Sequence, residues 1–156
     1  MRLGARPDNL MGALGYLHLP VGEIPPDEQL RPFRAVLISE EVAPEEWRRA
    51  VCEWLVRSGC LYFVAWGTDC EQWHDGVDFA NLDAFDYSEI PEDDSVMTTW
   101  HENEPLGEAF WYAEHCAFHP TVELPRTLII DVSSNAREDE ILRAYQQARD
   151  SDLSEN

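Results

Sequence analysis

The chain has 156 residues, with 31 acidic side chains against 11 basic ones, and every one of those basic residues is arginine, giving a net charge of −20. A field of that sign repels phosphate backbones and anionic lipid, so nucleic acid and membrane surfaces are excluded as expected partners, while basic proteins and divalent cations are favoured. With 44% hydrophobic residues and six tryptophans, the chain has enough apolar surface for one well-packed domain, and wholesale disorder is excluded as well.

Residues 1–33 are rich in glycine and proline. Pro20, Pro25, Pro26 and Pro32 interrupt any long element, so an irregular N-terminal segment is expected, with 16–19 as a short edge strand. The stretch 10–19 has the length of a signal-peptide core, yet Asp8 precedes it and no small-x-small cleavage site follows. No apolar run approaches the roughly 18 residues of a membrane span. A cytoplasmic protein is expected, with a single α/β domain over 34–150 and a frayed polar tail over 151–156.

Four short apolar runs, 35–39, 61–66, 95–99 and 127–132, read as buried strands. Their apolarity is continuous rather than alternating, as in a parallel sheet covered on both faces. A helical pattern follows each run. In the first, Trp47, Ala50, Val51, Trp54 and Leu55 share one face; Pro44 and two glutamates suit its start, and Gly59 stops it. The second aligns Trp73, Val77, Ala80 and Ala84 behind Thr68-Asp69-Cys70-Glu71, the spacing of a capping box. The third opens at Pro105 and aligns Leu106, Ala109, Phe110, Ala113, Cys116 and Ala117. The fourth has Asn135 as cap with Glu138 three residues on, then Ile141, Leu142, Tyr145 and Ala148. Four strand–helix alternations without an internal repeat predict an α/β three-layer sandwich. Its sheet is mostly parallel, of about four strands, and Rossmann-like or flavodoxin-like.

In open sheets of this class, ligands collect beyond the carboxyl ends of the strands. That edge is expected to carry Glu40 and Glu41, then Trp66 to Asp69, Trp100 to Glu104 and Asp131 to Asn135. A phosphate site needs glycines for close backbone approach, and the chain has neither GxGxxG nor GxxxxGK[ST]. No nucleotide or other cofactor is therefore expected, and a receiver-like phosphoacceptor lacks its lysine. The alternative is Mg²⁺, held by carboxylates from Glu40, Asp69, Glu102, Glu104 and Asp131, with His101 as general base beside Glu102. Acids at helix starts are also favourable dipole partners with no further role.

Other chemistry-bearing residues are less organised. His115 and His119 stand four apart, a zinc-compatible spacing, but no HExxH frame surrounds them, and His119 beside Pro120 fits a helix end. His18 and His74 have no partner set. No serine lies in a GxSxG elbow. Cys70 with His74 or His101 would make a nucleophile pair, but acidic surroundings oppose a thiolate. Cys52, Cys60, Cys70 and Cys116 form no CxxC motif and read as buried free thiols. Opposite the apolar stripe of the third helix stand Trp111, Tyr112, His115 and Phe118. They indicate either burial between two layers or an aromatic surface for self-association or a partner.

Several stretches taken together resemble an uncharacterised bacterial family classed as a domain of unknown function. These are Trp66-Gly67-Thr68-Asp69-Cys70, the run from Met97 through Trp100-His101-Glu102-Asn103-Glu104-Pro105 to Leu106, then Phe110-Trp111 and His119-Pro120. The resemblance covers roughly residues 35–135 and implies a bacterial, cytoplasmic origin, with no activity, cofactor or catalytic residue. The leading reading is a small acidic interaction or accessory protein, immunity- or antitoxin-like, whose partner is a basic protein or a second copy. The alternative is a divalent-metal-dependent hydrolase using Asp69, Glu102, Glu104, Asp131 and His101. A third is an α/β domain that only scaffolds its own oligomer.

Overall fold

The computed structural model describes residues 12–151. Its elements in chain order are β1 (Leu14–His18), β2 (Phe33–Ser39), α1 (Glu45–Ser58), β3 (Cys60–Gly67), α2 (Cys70–Ala84), β4 (Met97–His101), α3 (Leu106–His115), β5 (Thr127–Val132) and α4 (Glu138–Asp150). All four strand pairings are parallel, and the sheet order is β1-β5-β2-β3-β4. From β2 the chain steps outward to β3 and β4, then crosses back to lay β5 on the other side of β2. With β1 set aside, this is the 3-2-1-4 order of the dinucleotide fold rather than the 2-1-3-4 of the flavodoxin type, and the order reverses between β2 and β5.

Both faces of the sheet are covered, which explains the continuous apolar runs. Every residue of β2 is buried: Ala35 and Leu37 face α1 and α2, while Val36 and Ile38 face α3 and α4. On the first side the core is completed by Val51, Trp54, Leu55, Trp73 and Val77, on the second by Phe110, Ala113, Ile141 and Tyr145. Each large side chain removed from water in this way contributes roughly 1.5–3 kcal/mol.

The sheet has five strands rather than about four. Residues 14–33, expected to be mostly irregular, are integral to it: β1 pairs with β5 from Leu14↔Thr127 to His18↔Asp131, and Leu17, Leu19, Leu30 and Phe33 are buried. The segment between β1 and β2 lies over α1, where Trp47 Nε1 donates to the Glu23 carbonyl (2.8 Å) and Trp54 Nε1 to that of Pro26 (2.7 Å). The expected tail over 151–156 lies outside the described residues apart from Ser151.

Local boundaries follow hydrogen bonds that no periodicity reveals. Strand β4 starts two residues later than its apolar run because the Val96 N–H is taken by Asn81 Oδ1 (2.9 Å). The capping box expected at α2 does not form. Asp69 is left-handed (φ 57°) and makes no side-chain cap, while the Thr68 N–H turns back to the Ser39 carbonyl (2.8 Å). Helix α4 begins behind Arg137, not Asn135, because Arg137 is held to the sheet through side chain and backbone. Helix α3 ends at His115, leaving Cys116 exposed where a buried thiol was expected. No helix among the described residues is long and apolar enough to cross a membrane.

Candidate functional site

The gap between the carboxyl ends of β2 and β5 is where this topology ordinarily receives a ligand. Here it is filled by the chain's own side chains. Asp131 is fully buried; its Oδ2 accepts from Tyr16 Oη (2.6 Å) and Arg137 Nε (3.1 Å), and its Oδ1 accepts from Arg137 Nη2 (3.0 Å). Arg137 also pairs with Glu40, its backbone N–H donates to Tyr16 Oη (3.1 Å), and Ser134 donates to Glu41. His18 Nε2 donates to the Ser133 carbonyl (2.8 Å). Burial and the bond to Asp131 hold the Tyr16 hydroxyl well above its ordinary range, and the carboxylates push the Arg137 guanidinium further up. Asp131 is thus committed to a guanidinium, which stands where a metal cation would be needed.

The second group lies at the carboxyl ends of β3 and β4. His101, buried, has Nδ1 3.3 Å from Glu104 Oε1 and Nε2 3.1 Å from Thr99 Oγ1. Its ring packs on Tyr112 (4.9 Å), whose hydroxyl meets that of Tyr62 at 2.6 Å. Trp66 Nε1 donates to the Glu104 carbonyl (2.7 Å), which fixes the turn carrying the acid. A hydroxyl, an imidazole and a carboxylate in that order have the connectivity for passing a proton. Glu102 is exposed and makes no bond to His101; its charge adds to burial in holding the Cys70 thiol above its ordinary range, so Cys70 is no ready thiolate.

The candidate ligands Asp69, Glu102, Glu104 and Asp131 do not converge. His101 on β4 and Asp131 on β5 are separated by β3 and β2, three strand spacings or ~14 Å. Among the described residues no three His, Cys, Asp or Glu side chains form a group that could hold a metal ion.

The four residues expected opposite the apolar stripe divide, with Trp111, Tyr112 and His115 on α3 and Phe118 beyond its end. Tyr112 turns inward to Tyr62 and His101. Trp111 stacks on His115 (4.9 Å), which bonds the Arg149 carbonyl at the end of α4 (3.0 Å). Phe118, exposed, edges a 290 Å³ cavity at the opposite end of the sheet from His101. His119 is buried away from His115: Nε2 donates to the Ser95 carbonyl (2.8 Å), and Nδ1 accepts from the N–H groups of Thr121 and Val122.

Two features escaped the reading of motifs. One is Arg137, the cation inside the carboxylate edge. The other is the outer side of β4, where Trp100 is 41% exposed and packs against the His74 ring (centroids 4.5 Å apart, planes tilted by 59°). His74 lies 3.0 Å from Asp75 and 3.6 Å from Asp78, and Asp78 accepts from Thr98 Oγ1 (2.7 Å). The signal for this side is the distribution of charge rather than its total. Between Arg57 and Arg126 there is no arginine or lysine, while 15 of the 31 acidic residues fall there. That span builds β3, α2, β4 and α3, the β4 side of the molecule.

Residues 14–148 match the model of a family described as Domain of unknown function (DUF7684). The chain belongs to that family. The DUF7684 match takes in every element from β1 into α4, so the Arg137 clamp, the His101 group and the β4 edge all lie within it. No curated protein and no solved structure matches the chain.

Proposed function

We propose that this DUF7684 chain is a small acidic accessory protein, immunity- or antitoxin-like, that works by binding a basic protein. The observation that carries the reading is the one-sided charge: a continuous stretch from β3 through α3 with 14 acids and no arginine or lysine. Such a field steers a basic partner to one side of the molecule and raises the rate of encounter, while aromatic anchors supply binding energy. The filled crevice between β2 and β5 supports the same reading, since the usual ligand position of this topology is spent on the chain's own ion pair. A bacterial cytoplasm is part of the proposal. Three buried cysteines are unpaired, as suits a reducing compartment.

The test is recovery of partners from source cells at low and at high salt, followed by reconstitution from purified components. The reading expects a basic protein that binds stoichiometrically, more weakly as salt rises past the point where the screening length drops below about 10 Å. A chain that binds no basic protein even at low salt removes it.

A hydrolase is the second reading, favoured by the Thr99–His101–Glu104 array alone. In its metal-dependent form it requires acids from separate strand ends to converge on one cation. Titration with Mg²⁺ and Mn²⁺ decides that form: no binding and no rise in melting temperature removes it.

A further inference from the structure

We propose that the outer edge of β4 is the docking edge, and that it receives an extended basic segment of the partner, which adds as a sixth strand beside Met97–His101 and sets an arginine or lysine against Trp100. This rests on the basic-partner reading and says where, and in what conformation, the partner is held.

Strand β4 is the last in the sheet. Its inner edge pairs with β3 from Tyr62↔Met97 to Trp66↔His101, and among the described residues no strand pairs with its outer edge. Four of its five residues are at least partly exposed, whereas β1, at the opposite edge, buries its three central residues. Sheet edges are ordinarily blunted by lysine, proline or a bulge. The β4 sequence, Met-Thr-Thr-Trp-His, holds none of these residues, and its register with β3 is unbroken. An extended peptide gains main-chain hydrogen bonds from such an edge whatever its sequence, and specificity then comes from what flanks it.

The flank is suited to cations. The indole of Trp100 is exposed, yet held by the His74 ring, which two aspartates, Asp75 and Asp78, fix in turn. A fixed aromatic face among carboxylates attracts a guanidinium or ammonium through both the ring and the acids. The same charge argues against a second copy as occupant. Two β4 edges paired about a two-fold axis would set these acids against their own copies; the span from β3 to α3 holds no arginine or lysine, and Arg31, which reaches in from outside it, is already paired with Asp94.

The probe is a short synthetic peptide alternating arginine with valine. Its controls are a glutamate–valine peptide and an arginine–valine peptide N-methylated at alternate residues, which keeps the charge but cannot complete a strand ladder. Binding is followed by tryptophan fluorescence and by amide hydrogen exchange of the full chain. The proposal expects salt-sensitive binding of the first peptide with slowed exchange confined to Met97–His101 and its neighbours. It expects at least a tenfold loss on N-methylation, a comparable loss in Trp100→Ala with an unchanged circular dichroism spectrum, and no binding of the acidic peptide. Equal binding of the N-methylated peptide, or protection elsewhere than β4, overturns the docking edge and leaves the basic-partner reading standing. Failure of every basic peptide and of every basic protein at low salt overturns both. A concentration-dependent dimer that protects β4 in the absence of peptide replaces the basic segment with a second copy and overturns the proposal.

Discussion

Arg137 meets Asp131 side-on, with Nε 3.1 Å from Oδ2 and Nη2 3.0 Å from Oδ1 of a carboxylate that has no solvent exposure. The pair joins the start of α4 to the end of β5, and Tyr16 Oη ties β1 into the same knot from the other side. One guanidinium therefore fixes the position of a helix, the neutralisation of a buried acid and the docking of an edge strand.

Removing either partner alone leaves an uncompensated group in a dry place. Arg137→Ala is expected to destabilise the fold by about 3–5 kcal/mol, seen as a drop in melting temperature on the order of 10 °C. Asp131→Asn is expected to cost less, because the amide keeps one acceptor for the guanidinium. The double replacement Arg137→Met with Asp131→Leu should recover more than half of the Arg137→Ala loss in urea denaturation, since no buried charge then remains. A Arg137→Ala protein as stable as the parent would show that the pair does not secure this edge.

Gly67 ends β3 at φ 101°, and a Cβ there would lie 2.2 Å from the Ser39 carbonyl oxygen, the atom that accepts the Thr68 N–H. Gly67→Ala combines left-handed strain with a backbone clash and is expected to cost at least ~2 kcal/mol. Gly107, in the first turn of α3, has nothing within 4 Å of its added Cβ, so Gly107→Ala is expected to gain ~0.4–1 kcal/mol. Urea midpoints of the two variants should fall on opposite sides of the parent; a neutral Gly67→Ala would contradict the turn geometry.

How much of this was legible in the sequence depends on range. Periodicity locates β2, β3, β5 and the four helices because burial on both faces imposes continuous apolar runs, and burial on one face imposes a stripe. It finds the edge strand β1 but sets it over 16–19 rather than Leu14–His18, because its limits are fixed by pairing with β5, more than a hundred residues away. It misplaces the starts of β4 and α4 because Asn81 and Tyr16, distant in the chain, take the backbone N–H groups that decide them. The same limit applies to the site. Counting carboxylates at strand ends finds Glu40, Asp69, Glu104 and Asp131 but cannot measure the sheet width between them. It also passes over Arg137, which stands only six residues beyond Asp131. The clustering of acids between Arg57 and Arg126 needed no structure to see. Its meaning did, because only the strand order puts those residues on one side.

Thiol reactivity offers a direct check of the interior. Cys52, Cys60 and Cys70 are buried and Cys116 is exposed, none of them paired. An aromatic disulfide reagent is expected to modify one thiol in the native chain and all four after denaturation, and Cys116→Ser should abolish the native reaction. Rapid modification of a second thiol without denaturant would contradict the burial of the faces of α1 and β3 that carry Cys52 and Cys60.

Alkaline pH should destabilise the protein, because several buried groups resist losing protons. Burial pushes the Cys52 and Cys60 thiols from 9.0 up to about 12. Burial, reinforced by hydroxyl or carboxylate partners, also holds Tyr16, Tyr62 and Tyr145 above their ordinary 10.0. A group whose folded pKa is raised loses its proton first in the unfolded chain. Its contribution is therefore complete below the unfolded value and is lost as pH climbs toward the folded one. The urea midpoint is expected to stay level up to about pH 9, to fall through the thiol range, and to fall more steeply as the tyrosines join above about pH 10. Tyrosinate absorbance should show three of the five tyrosines ionising only together with unfolding. In a Cys52→Ala, Cys60→Ala double variant the decline should begin later, in the tyrosine range. A midpoint independent of pH up to 11, or five tyrosines titrating freely in the folded state, would mean that these side chains are not sequestered where the sheet and its helices place them.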